Sequence, residues 1–144
     1  MKSTIKNTSK GERKMKKWLK NAIFYEIYPQ SFKDSNADGI GDFNGITAKL
    51  DYLNDGNDLT TSDLGITGIW LLPIFPSPSY HGYDVDDYYN VNPDYGTMED
   101  FENMLAECKK RGISVIIDMT CNHSSTYNDW FKASRDPNDP HHDW

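Results

Sequence analysis

The chain of 144 residues has few cysteines, few cationic side chains and no long apolar run. Its two cysteines, Cys108 and Cys121, are too few to form a disulfide framework. With 15 Lys and Arg against 22 Asp and Glu, the net charge is −7, which argues against the basic surface that nucleic-acid binding requires. No apolar stretch approaches the roughly 20 residues of a membrane span, so we expect neither nucleic-acid nor membrane partners.

The first 17 residues are polar and basic, which predicts a disordered tail. The positive start is not followed by the apolar stretch of about 7–15 residues that a secretory signal contains, so we expect a cytoplasmic protein. The remaining composition, with 37% hydrophobic and 26% charged residues in the whole chain, is that of an ordinary globular domain with a buried core.

Three short apolar runs, at 22–28, 67–72 and 113–118, predict three strands because they are rich in β-branched and aromatic residues. We expect the first of them to be a buried strand. Helical patterns lie between the runs, and this alternation predicts parallel βαβ units in an α/β fold. Three strands cannot close a barrel and would leave apolar surface uncovered, so the pattern indicates the beginning of a larger structure.

Two amphipathic helices are predicted between the strands. Ile46, Leu50 and Leu53 recur at helical spacing in the first. Thr97 can cap the second, with Asp100 at the capping-box position where Glu or Gln is preferred. A cation followed by glycine, Arg111–Gly112, ends this helix. The side chains that it is expected to bury are Phe101, Leu105 and Cys108.

An oxygen-rich loop follows the first strand. Oxygen-bearing side chains recur at alternate positions, and Gly39 permits the tight turn between them. Ca²⁺ prefers such oxygen ligands and takes 6–8 of them. Because Gly45 stands where an EF-hand has Glu, an Asx-rich turn without metal is the alternative. The predicted calcium ligands are Asp34, Asn36, Asp38, the carbonyl of Ile40, and Asp42.

Two further polar segments follow the second and third strands, where parallel sheets carry ligand sites. The segment 77–84, SPSYHGYD, and the residues VDDYY that follow it at 85–89 combine aromatic rings with an imidazole and carboxylates, which suits a neutral polyol. Packing of the tyrosines against the core is the alternative. In the segment 118–123, DMTCNH, the strand-end carboxylate of Asp118 needs a partner or a function. Asn122 and His123 could ligate metal, bind substrate or cap the turn.

Together these segments resemble the amino-terminal part of glycoside hydrolase family 13, the α-amylase family. GITGIWLLP at 65–73 and DYGT at 94–97 match it too, and DMTCNH resembles the family's first signature. The resemblance covers about residues 18–144. It implies the first three β/α units of a (β/α)8 TIM barrel, truncated in the long loop after the third strand, where domain B, the small protruding domain of the family, begins. The implied division is a tail at 1–17, barrel at 18–119 and the start of domain B at 120–144.

The resemblance also implies roles for single residues. Tyr83 would stack on the sugar ring before the scissile bond, and His123 would hydrogen-bond the same sugar. Asp118 would support the site structurally. Asn122 corresponds to a calcium ligand in many α-amylases, and the loop after the first strand would hold the Ca²⁺ of several bacterial members. The residues expected to line the site beside them are His81 and Asp84.

The implied function of the full-length protein is hydrolysis of α-1,4-glucosidic bonds in starch-like maltooligosaccharides, with retention, by a monomer. Retaining glycosidases use two carboxyl groups about 5–5.5 Å apart. In this family the nucleophilic Asp, the acid/base Glu and a third Asp follow strands four, five and seven. Residues 1–144 therefore contain no catalytic residue by the resemblance, and we expect them to be inactive alone.

Alternatives remain open. The segment SYHGYD at 79–84 resembles the endo-acting amylases more than the exo-acting α-glucosidases. An α-glucosidase, an α-1,6-glucosidase or a trehalose-type hydrolase of the same family is the next enzyme class. The same fold also occurs in non-catalytic relatives that have lost the carboxylates. A self-standing calcium-binding βαβ domain would be a folded monomer, whereas part of a barrel would expose apolar surface.

Overall fold

The structure is a computed structural model that describes residues 17–143. The predicted tail at 1–17 lies outside this range except for Lys17, which begins a 3-10 helix at Lys17–Asn21. Three strands form one parallel sheet in chain order, so the predicted βαβ arrangement is confirmed, although each strand has only four residues. The strands are β1 (Phe24–Ile27), β2 (Gly68–Leu71) and β3 (Ser114–Ile117).

Five α-helices and a second 3-10 helix are found within residues 17–143. The longest, α4, has 13 residues, and none in this range combines the length and apolarity that crossing a membrane requires. The elements are α1 (Pro29–Phe32), α2 (Phe43–Thr47), α3 (Leu50–Leu53), the 3-10 helix Pro93–Tyr95, α4 (Met98–Lys110) and α5 (Asp129–Arg135).

The helix predicted through Ile46, Leu50 and Leu53 is two short helices, α2 and α3. Lys49 interrupts them, since its φ of −108° and ψ of 3° lie outside the helical region. All three apolar side chains are nevertheless fully buried. Helical spacing thus identified the side chains that face the core, while the backbone between them turns before continuing.

Helix α4 lies where the sequence predicts it. Thr97 Oγ1 accepts the Asp100 backbone N–H at 3.1 Å, and Asp100 Oδ2 accepts the Thr97 N–H at 2.8 Å. The capping box is therefore complete with Asp in the place of Glu. The helix ends before Gly112, whose φ of +71° is left-handed backbone that glycine adopts without strain.

The buried stripe of α4 is centred differently from the prediction. Cys108 is fully buried as expected, but Phe101 and Leu105 are only partly buried against the core. Met104, which the prediction omitted, is fully buried. Positions 101, 104, 105 and 108 share one helical face, and the buried side of that face is the one that carries Met104 and Cys108.

One face of the sheet packs on the helices and the other is uncovered. Ile69 and Leu71 of β2 are fully buried, whereas Trp70 between them is 39% exposed. The prediction that the first strand is buried is wrong for the uncovered face, because Phe24 is 37% exposed there. Within β1 only Ile27 is fully buried. The Phe24 ring lies over Gly68, where a Cβ would come within 2.6 Å of it.

Candidate active site

The polar segments that follow β2 and β3 meet at the carboxyl-terminal edge of the sheet. The Asp118 backbone N–H donates to the Leu71 carbonyl at 2.9 Å, so the ladder between the two strands continues one residue beyond β3. This bond fixes Asp118 at the sheet edge. From there its side chain reaches Tyr83, 35 residues earlier in the chain.

The Asp118 carboxylate accepts one donor on each oxygen. Trp70 Nε1 donates to Oδ1 at 3.0 Å, and the Tyr83 hydroxyl donates to Oδ2 at 2.7 Å. Hydrogen bonds to an ionised acceptor are short and strong. The bond to Asp118, followed by desolvation and the charges of Asp118 and Glu26, raises the pKa of Tyr83 to about 12. Tyr83 is therefore a neutral donor at neutral pH.

The backbone of Tyr83 is held by His81. The Tyr83 N–H donates to His81 Nδ1 at 3.1 Å, and the Ser79 hydroxyl lies 3.2 Å from the same nitrogen. A neutral His81 that accepts at Nδ1 carries its proton on Nε2, which lies 3.8 Å from Asp84 Oδ2. The His81 and Tyr83 rings stack with centroids 5.9 Å apart. Tyr83 is thus fixed at both ends and remains 37% exposed.

His123 lies in a second group of side chains after β3. Tyr88 donates its hydroxyl toward the carbonyls of Thr120 and His123, each at 2.8 Å, and so fixes the turn between them. Asn122 Nδ2 lies 3.2 Å from His123 Nδ1, and both side chains are exposed. The Tyr88 ring stacks on Trp130 of α5 at 5.5 Å. This turn and the two rings line an open cavity of about 510 Å³.

The predicted sugar-site residues therefore fall into two groups. Tyr83, His81, Asp84 and Asp118 are joined by direct contacts, whereas His123 lines the cavity beside Asn122. Trp70 was not predicted, and Tyr88 was predicted only as a member of the aromatic cluster that follows β2. In a strand that contains Ile69, Trp70 and Leu71, the Trp70 side chain lies on the face opposite the other two, which was an available signal for its direction. The Tyr88 bonds span 32 and 35 residues, and nothing in the local sequence signals them.

The oxygen-rich loop curls around Asp34. Its carboxylate accepts the backbone N–H groups of Asn36 at 2.9 Å, Ala37 at 2.7 Å and Gly39 at 2.8 Å. The Gly39 bond is the largest cause that lowers the pKa of Asp34, and the other two bonds add to it. Gly39 has a φ of +92°, as the predicted tight turn requires, and Ala37 also adopts a positive φ of 67°.

Asp42 differs from the other predicted calcium ligands, because it is buried and caps α2. Its Oδ1 accepts the Gly45 N–H at 2.6 Å, and its Oδ2 accepts the N–H and hydroxyl of Ser35, each at 2.9 Å. In Asp38, Oδ1 accepts the Ile40 N–H and Oδ2 accepts the Asn36 amide. These bonds order the loop through protein contacts alone.

The donor chemistry of the loop fits a hard cation. A carboxylate has about four lone-pair positions, so Asp34, Asp38 and Asp42 each retain a free position after the bonds described above. The geometry is more open than a complete site. Among residues 17–143, no group of three or more His, Cys, Asp or Glu side chains converges closely enough to hold a metal ion.

Known proteins resemble this chain in both sequence and fold. A sequence profile described as alpha amylase, catalytic domain, matches residues 26–144. Alpha-amylase 3 of Dictyoglomus thermophilum is 49% identical over 128 residues, 88% of this chain and 24% of that protein. Maltase A1 of Drosophila melanogaster is 52% identical over 120 residues, 83% of this chain and 19% of that protein. The crystal structure of an α-amylase from H. orenii has a TM-score of 0.82 at 59% identity, covering 85% of this chain and 25% of that one.

The chain spans about a quarter of the length of these relatives, or less. The profile nevertheless covers most of the chain, and the parallel sheet with polar segments at its carboxyl edge is consistent with part of a β/α barrel. The resemblance drawn from the sequence is confirmed. The chain belongs to the α-amylase family, glycoside hydrolase family 13.

Proposed function

We propose that the full-length protein is a retaining glycoside hydrolase that cleaves α-1,4-glucosidic bonds in maltooligosaccharides. The observation that carries this proposal is the exposed Tyr83 ring, fixed by His81 at its backbone and by Asp118 at its hydroxyl. A rigid aromatic face at a sheet edge can cover the C–H side of a sugar ring without losing further side-chain entropy. Residues 18–119 would then belong to the first three β/α units of a (β/α)8 barrel.

Each polar side chain has a distinct part in this proposal. Tyr83 stacks on the sugar before the scissile bond, while His123, His81 and Asp84 supply hydrogen bonds to hydroxyl groups. Asp118 orients Tyr83 through the hydrogen bond to its hydroxyl, in the supporting role that the family resemblance implies for it. The nucleophile and the acid/base, about 5–5.5 Å apart, would follow later strands of the barrel. Residues 120–144 would begin domain B.

The test is hydrolysis by the full-length enzyme, followed by proton NMR of the products. We expect cleavage of maltotriose and longer maltooligosaccharides, with the α-anomer formed first because a retaining mechanism inverts the anomeric centre twice. Residues 1–144 alone serve as the control and should release no sugar. Absence of hydrolysis by the full-length enzyme would favour a non-catalytic relative, and an initial β-anomer would exclude retention.

An α-glucosidase is the second candidate, and the 52% identity to Maltase A1 favours it. Both candidates would use Tyr83 in the same way, so the site geometry does not separate them. The products separate them. Glucose released alone from maltohexaose indicates an exo-acting α-glucosidase, mixed oligosaccharides indicate an endo-acting amylase, and cleavage of isomaltose indicates α-1,6 specificity.

We further propose that the loop after β1 binds Ca²⁺ in the full-length enzyme through Asp34, Asn36, Asp38, the Ile40 carbonyl and Asp42. The donor types, the free lone pairs and the lowered pKa of Asp34 support this proposal. The ion would draw the loop together structurally and take no part in the sugar chemistry. Asn122 is a candidate for a separate calcium contact after β3.

Chelation should therefore lower the melting temperature. A ligand bound only by the folded state stabilises it by about 2.7 kcal/mol at 100 times its Kd. We expect EDTA to lower the melting temperature by several degrees, added calcium to restore it, and Asp38→Ala to abolish both effects. Asp58→Ala is the matched control, since Asp58 is also exposed on an Asx-rich loop. A calcium effect that survives Asp38→Ala would place the ion elsewhere.

A further inference from the structure

Trp70 lies on the face of the sheet opposite the helices that cover the core. Its neighbours Ile69 and Leu71 are fully buried, whereas Trp70 is 39% exposed. In the sheet register Trp70 is paired with Ile116 of β3. Asp118 follows Ile116 by two positions and thus emerges on the same face, within reach of the indole.

The indole N–H sets the orientation of the Asp118 carboxylate. Trp70 Nε1 donates to Oδ1 at 3.0 Å, while the Tyr83 hydroxyl donates to Oδ2 at 2.7 Å. Two donors on different oxygens fix the plane of a carboxylate, whereas a single donor leaves it free to rotate about the Cβ–Cγ bond. The direction from which Asp118 receives the Tyr83 hydroxyl therefore depends on Trp70.

We propose that Trp70 is a positioning residue for sugar binding, which acts through Asp118 on the orientation of the Tyr83 ring. This inference rests on the proposed function, in which Tyr83 stacks on the sugar. His81 already holds the backbone of Tyr83, so the phenol is the end of the side chain that remains to be fixed. Trp70 and Asp118 fix that end from the sheet.

The test begins with Trp70→Phe in the full-length enzyme, which removes the indole N–H and keeps an aromatic ring. We expect kcat/KM for maltotriose to fall about tenfold, because small misplacements of a binding group reduce the rate steeply. Trp18→Phe is the matched control. Trp18 is 42% exposed and packs edge-to-face on Phe24, away from Asp118, and its substitution should leave kcat/KM unchanged.

A double-mutant cycle distinguishes positioning from general damage. Tyr83→Phe removes the other donor to Asp118 and should also cost about tenfold. If both substitutions break the same chain of hydrogen bonds from Trp70 through Asp118 to Tyr83, kcat/KM of the double variant should fall about tenfold in total. Independent defects would multiply to a fall of about a hundredfold. Trp70→Gln adds a rescue measurement, because its side-chain amide restores an N–H donor. It should be more active than Trp70→Phe, even where both variants melt at a lower temperature.

The outcomes separate this inference from the proposed function. An inactive wild-type enzyme would overturn the proposed function and, with it, the role of Trp70. If the wild type is active and Trp70→Phe has the same kcat/KM for maltotriose, only the inference is overturned. Trp70 would likewise have only a packing role if the double variant lost the product of the two single losses, or if Trp70→Gln and Trp70→Phe were equally active.

Discussion

Replacing Gly45 with alanine is expected to destabilise the protein by about 3 kcal/mol or more. A Cβ at this position would lie 1.9 Å from the Lys33 carbonyl oxygen and 2.7 Å from its carbon, so backbone has to move. That movement would also disturb the 2.6 Å bond from the Gly45 N–H to Asp42. The cap of α2 and the close of the oxygen-rich loop would be lost together. Differential scanning calorimetry of the full-length enzyme should show a melting temperature lower by many degrees.

Gly112→Ala is the control for this substitution. Gly112 has a φ of +71°, but a Cβ there meets no atom within 4 Å. Left-handed backbone costs an alanine about 1–2 kcal/mol, so the melting temperature should fall only slightly. Equal losses in the two variants would mean that loss of glycine, rather than contact with Lys33, is responsible. A Gly45→Ala variant as stable as the wild type would contradict the close packing of α2 on this loop.

Tyr83→Ala is expected to have the largest effect on activity. The substitution removes the ring that covers the sugar, and burying such a side chain contributes about 1.5–3 kcal/mol. If that contribution is made mainly in the transition state, kcat/KM for maltooligosaccharides falls by about tenfold to a hundredfold. Tyr83→Phe keeps the ring and should retain more activity. Steady-state kinetics of the full-length enzyme measure both.

The matched control is Tyr52→Ala. Tyr52 is 54% exposed in α3, and its backbone carbonyl, which accepts the Leu64 N–H, is retained in the variant. Its removal should leave the kinetics unchanged. If Tyr83→Ala also leaves kcat/KM unchanged, Tyr83 has only a packing role and the proposed sugar site has to be placed elsewhere.

The order of strands and helices could be predicted because apolar residues that face the core recur at regular spacing in the sequence. Ile46, Leu50 and Leu53 keep helical spacing, since each must face the core. The break at Lys49 leaves no such trace, because one turned residue preserves the buried face on either side of it. The exposure of Phe24 could not be predicted from the sequence either. An apolar residue on an uncovered face has the same composition as one in a covered sheet.

The candidate site could be predicted only in part, for a related reason. Asp118 and Tyr83 follow adjacent parallel strands, so their approach at one sheet edge was predictable from topology. The bond from Trp70 depends on register and on one rotamer, which composition does not encode. Asp42 shows that one motif position can fit two uses. Its position matches a calcium ligand, but the same oxygens also serve as the N-cap of α2, and the spacing cannot tell these uses apart.

The contact between Phe24 and Gly68 links two distant positions of the sequence into one shared volume. The ring of Phe24 fills the space in which a side chain at 68 would lie, at 2.6 Å from its Cβ. A side chain introduced at 68 therefore requires the Phe24 ring to move or to be replaced by a smaller residue. In a protein-engineering library that randomises both positions, we expect larger residues at 68 to be found together with smaller residues at 24.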